Sequence, residues 1–91
     1  MNIDKVLDIA KDIKEIEDVL NPNVIFDRIK AEDIIRKHNA TDEVVATLNS
    51  PLNPSYTTFE DATNEMVVQN LIVIRNILIV KLQQESSKKE N

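Results

Sequence analysis

Four acidic residues, Asp4, Asp8, Asp12 and Glu15, recur every three to four positions near the start of the chain. On a helix that spacing stacks them into one ridge. A ridge of carboxylates offers two chemistries. It can ligate a hard divalent cation when further oxygen ligands oppose it, or it can face a basic surface, including that of a DNA-binding protein whose phosphate ligand it imitates. The Glu-x-x-His pairs that hold metal inside four-helix proteins do not occur in this sequence. The ridge therefore reads as a partner-binding acidic face, and neither metal nor cofactor is expected.

A second group of polar side chains, Ser55, Tyr56, Thr57 and Thr58, with Ser50 slightly earlier, precedes the longest apolar segment. Hydroxyls and free N–H groups at a helix N-terminus make an anion site, so this cluster is the candidate for a phosphate or nucleotide. His38 is the only histidine. A lone imidazole serves as a base only beside an oriented nucleophile or carboxylate, and near a helix end it more simply complements the dipole.

Composition narrows the chemistry further. The chain has no cysteine, which removes thiol catalysis, disulfides and Cys-zinc sites. It has no glycine, which removes the phosphate-cradling P-loop and the dinucleotide fingerprint. With no cofactor motif and no assembled acid/base pair, catalysis is not expected. Eleven Lys and Arg against sixteen Asp and Glu give a net charge of −5, the wrong sign for a protein that neutralises phosphates. Residues 25–48 allow a helix-turn-helix, but its second helix would open on Asp42-Glu43, which repels DNA. Direct nucleic-acid binding is not expected.

These residues need elements to hold them. Ninety-one residues make one domain, and 42% hydrophobic with 30% charged residues fits a folded globular chain. Without glycine, and with 3% aromatic residues, tight hairpins and sheet cores are disfavoured. The predicted class is all-α: a small bundle of three to four helices over residues 1–91, about 3–20, 22–38, 41–49 and 58–84, with a frayed tail at 85–91. The first helix is capped by Asn2 and carries Ile3, Val6, Leu7, Ala10, Ile13 and Leu20, with Ile9 and Ile16 widening the stripe; Glu17 falls in the apolar sector. The second restarts at Asn21-Pro22, with Pro at the first helical position, and buries Val24, Ile25, Phe26, Ile29, Ile34 and Ile35. Glu32–Arg36 and Asp33–Lys37 support it as i,i+4 pairs. The short third helix, capped by Thr41, buries Val44, Val45 and Leu48. A connection at 50–57 holds two of the three prolines. A capping box at Thr57–Glu60 then opens the last helix.

The last helix stands out. Val67, Leu71, Ile74 and Leu78 form one apolar stripe, and Met66, Val73, Ile77 and Val80 form a second. A helix on one side of a small bundle needs only one stripe. Either this is a central helix, or the second stripe docks on another chain. The interface residues assigned on this basis are Met66, Val67, Leu71, Ile74, Ile77 and Leu78, paired antiparallel with a second copy. LIVIRNILIVKL also allows two strands, but Arg75-Asn76 is a poor hairpin turn and the flanks continue as helix. The same two residues interrupt the apolar run short of a membrane span.

The expected function is non-enzymatic protein–protein binding, with self-association through the C-terminal helix. The alternatives are an acidic inhibitor or immunity-type protein meeting a basic host or cognate surface, and a small anionic-ligand binder using the 50–58 loop. No targeting segment is visible, so the cytoplasm is expected, that of a host if the chain is viral. Short, acidic, glycine-free chains rich in Asn, Ile and Lys are common among small phage and plasmid proteins.

Overall fold

The computed structural model describes residues 2–39, 42–46 and 55–87. Among these residues there are three helices, α1 (Ile3–Leu20), α2 (Arg28–His38) and α3 (Asn64–Ser87), and a two-stranded antiparallel sheet of β1 (Glu43–Ala46) and β2 (Ser55–Thr58) that falls between α2 and α3 in the chain. The chain is mostly helical with a small sheet, and is not the plain three-to-four-helix bundle that composition suggests.

α1 forms where expected. The Asn2 side chain accepts a hydrogen bond from the backbone N–H of Lys5, and Asn21 ends the helix in an extended conformation, which Pro22 imposes on its predecessor. The core face is rotated from the predicted stripe. Ile13, Ile16 and Val19 are buried, while Ile3, Leu7 and Glu17 face outward.

Pro22 does not restart a helix. Residues 22–27 form a turn and an extended stretch, with the Asn23 N–H bonded to the Asn21 side chain. α2 begins only at Arg28, where the Asp27 carboxylate accepts from the Lys30 N–H. The delayed start leaves Val24 and Ile25 exposed, and Ile29 in the first turn of α2 faces outward, all three against the expectation of burial; Ile34 and Ile35 are buried as expected, Ala31 joins them, and Phe26 is partly buried.

The helix predicted over 41–49 is also corrected. Residues 43–46 are a strand whose partners run from Glu43↔Thr58 to Ala46↔Ser55. Val44-Val45 and Tyr56-Thr57-Thr58 are β-branched and aromatic residues, which suit a pleated surface packed on one side. Val44 enters the core. Thr41, Leu48 and Ser50 lie outside the described residues.

The Thr57–Glu60 capping box does not open α3. Thr57 and Thr58 belong to β2, a turn follows, and Thr63 caps the helix, its hydroxyl accepting from the Met66 N–H at 3.2 Å. α3 is helical throughout, so the two-strand reading of its middle falls away. Residues 85–87, assigned to a frayed tail, are its last turn. α1, α2 and β1 all pack on it, so α3 is the central element.

Candidate functional site

α3 is longer than the elements that cover it. α1 lies antiparallel to it, with Lys5 Nζ 3.0 Å from Glu85 Oε1 at one end and Leu20 near Asn64 and Val68 at the other. α2 runs alongside in the same sense as α3, from Arg28 at Asn64 to His38 near Ile74 and Leu78. These neighbours bury Val67, Leu71, Ile74 and Leu78. Four of the six residues assigned to a self-interface are therefore the protein's own core. The other two differ: Met66 is half-buried, and Ile77 is 51% exposed.

What remains outside is most of the second stripe. Val73 (37% exposed), Ile77 and Val80 (51%) line a shallow surface with Asn76, Lys81 and Gln84. No carboxylate occurs between Glu65 and Glu85, although the chain holds sixteen. The outer face of α3 is thus apolar and, over Val73–Gln84, carries one exposed cation, Lys81.

The connection between α1 and α2 makes a second apolar patch. Ile25 is 92% exposed and Ile29 75%, with Val24 beside them and Asp18, Asp27 and Lys30 at the rim. Exposure of three aliphatic side chains within six residues marks a contact surface more strongly than any one alone.

The acidic ridge is partly engaged by the fold. Asp12 Oδ1 lies 2.8 Å from Lys37 Nζ at the end of α2, and this hydrogen bond raises the lysine's pKa, with support from the charges of Asp12, Glu15 and Asp8. Asp4 and Asp8 are exposed, and Glu15 is half-buried. His38 is held below its ordinary pKa, chiefly by burial; Asp12 and Glu15 oppose the shift, while Lys37 and Lys81 add to it. Among the described residues, no group of three acidic or histidine side chains is placed to hold a metal ion.

The hydroxyl cluster does not stand at a helix N-terminus. Ser55, Tyr56, Thr57 and Thr58 line up along β2, where Tyr56 and Thr58 are exposed and Thr57 is half-buried. The Thr58 hydroxyl donates to Asp61 Oδ2 at 3.3 Å, which brings a carboxylate to the place assigned to an anion.

Two arginines join distant parts of the fold, Arg28, for which the sequence suggests no role, and Arg36, expected only as the partner of Glu32. Arg28 Nη2 donates to Phe59 O at 2.7 Å and Ala62 O at 2.9 Å, Nη1 to Asn64 Oδ1 at 2.8 Å, and Nε to Glu32 Oε2 at 3.0 Å. One side chain thereby pins α2 to the turn that launches α3. Arg36 lies over the Phe59 ring, 4.7 Å from its centroid, and Nε donates to Asp42 at 2.8 Å. It also meets Glu32 and Asp33, so the expected Glu32–Arg36 pair forms, whereas Lys37 turns to Asp12 and not to Asp33. The four-residue steps Arg28, Glu32, Arg36 are visible in the sequence; the Phe59 and Ala62 carbonyls that Arg28 reaches lie more than thirty residues away and are not.

No protein-family model matches the chain, and no curated protein and no solved structure matches it. Among the described residues, no helix is long and apolar enough to cross a membrane.

Proposed function

We propose that the protein acts without catalysis, by binding protein, and that it associates with itself through the outer face of α3. The observation that carries this reading is that Val73, Ile77 and Val80 stay exposed after α1, α2 and β1 have covered the opposite stripe. Their contact area is modest. The accessible stretch Val73–Gln84 spans about 18 Å of helix, which buries roughly half of the ~800 Å² per partner typical of a tight complex. Association is therefore weak and reversible, in the micromolar range or above.

Sedimentation velocity over a concentration and salt series tests it. Each copy carries −5, and added salt screens that repulsion while leaving apolar contact intact, so the mass should rise with both concentration and salt. Ile77→Asp should keep the protein monomeric. A mass of one chain under all conditions rejects self-association.

The exposed Val24, Ile25 and Ile29 with their rim of Asp18 and Asp27 favour a second reading, an inhibitor-type contact with a foreign protein that offers an apolar pocket and basic edges. Such binding weakens as salt rises, the opposite sign. Hydroxyl-mediated anion binding is less well supported, because Asp61 accompanies Thr58.

A further inference from the structure

We propose that the self-association, on which this inference rests, is a two-fold antiparallel pairing of α3 centred between Leu78 and Ile79, with Ile77 of each copy against Val80 of the other. The seam has heptad spacing: Asn70, Val73, Ile77, Val80 and Gln84 follow one another at steps of three and four. Its N-terminal member is already taken, since Asn70 is buried within the protein, so the accessible seam starts at Val73 and ends at Gln84. A strip that pairs with itself antiparallel, about a two-fold axis perpendicular to the helix, overlaps fully only when the axis passes through its own midpoint. For Val73 to Gln84 this lies between Leu78 and Ile79, and it seats Val73 opposite Gln84 and Ile77 opposite Val80.

The occupant is a second copy, whose own seam has the same spacing, and the distribution of charge places the contact on this face. Two chains of −5 repel over most of their surfaces, and the stretch from 66 to 84 is the longest without a carboxylate. It carries only Arg75 and Lys81. Arg75 is half-buried, and the long stem of Lys81 lets its ammonium reach solvent at the edge of the seam. α3 therefore offers the approach on which two copies meet with least acidic repulsion. A parallel pair in register would instead set Lys81 of one copy beside Lys81 of the other.

The absence of cysteine allows single spin labels to be placed without background. Gln69→Cys and Gln83→Cys, each labelled and measured by electron paramagnetic resonance in concentrated solution, read the pairing directly. With 1.5 Å of rise per residue and helix axes about 9 Å apart, the backbone separations are about 30 Å for position 69 and about 16 Å for position 83. Ile77→Asp added to either variant should abolish the dipolar coupling and leave the helical circular dichroism unchanged, because Ile77 is outside the core. Two similar distances near 10 Å signify a parallel pair, and equal distances at the two positions signify a different centre; either overturns the pairing while self-association stands. No coupling, with the mass of one chain, overturns the self-association and the pairing together.

Discussion

Replacing Arg28 by alanine tests the way the helices are joined. Its side chain is about three-quarters buried and makes three hydrogen bonds to neutral acceptors besides its ion pair with Glu32. A hydrogen bond from a charged donor contributes about 1.5–3 kcal/mol net, and truncation leaves the Phe59 and Ala62 carbonyls without this donor. Because one guanidinium serves all acceptors, the contributions do not add, and the expected loss is roughly 2–4 kcal/mol. For a domain of this size that lowers Tm by roughly 10–25 °C. Urea unfolding followed by circular dichroism should show the midpoint fall with little change in slope. Arg28→Lys keeps the charge but not the fork that reaches two carbonyls and an amide, and should recover less than half of the loss. A loss below about 0.5 kcal/mol, the value of an exposed ion pair, would refute the reasoning.

Other outcomes follow from the same packing. Asn70 is 3% exposed with its Nδ2 unpartnered, so Asn70→Leu should raise stability by about 1 kcal/mol, read as a higher urea midpoint; a decrease would mean that the amide is satisfied. Leu71→Ala, in the centre of the core, should cost about 2–5 kcal/mol, whereas Ile77→Ala on the outer face should cost under about 1 kcal/mol in the same assay. His38 favours its neutral form in the folded protein, so the unfolded chain takes up the proton first. Its contribution is complete above about pH 6.5 and is lost as pH falls through the lower folded value; His38→Gln should flatten that part of the stability–pH curve. Asp12→Asn removes the carboxylate whose charge most opposes the shift and should lower the His38 pKa further in an NMR titration.

What the sequence made legible was mostly local. The bounds of α1, its Asn2 cap and the helical middle of α3 depend on neighbours three and four residues apart, and those patterns are printed in the chain. The strands are not legible because Glu43–Ala46 is too short to declare a period, and its partner lies across a proline-bearing connection. Thr57 resembled a helix cap because Glu60 stands three residues on; Thr63 is the actual cap, and the turn between them is fixed partly by Arg28 from another helix. The two stripes of α3 were equally apolar on paper. Only the arrangement of α1, α2 and β1 sorts Leu71 and Leu78 into the core from Ile77 and Val80 outside it. Ile25 shows the same limit: an apolar residue beside Phe26 looks like core until the helix that was to bury it begins six residues late.

The most direct test of the central claim, that α3 is a core helix on one side and a docking strip on the other, is a methyl NMR dilution series. From about 10 µM to about 1 mM, a range that brackets weak self-association, the methyl signals of Val73, Ile77 and Val80 should move with concentration while those of Val67, Leu71 and Leu78 stay fixed. Signals that do not move at all, or that move at Ile25 and Ile29 instead, would contradict it.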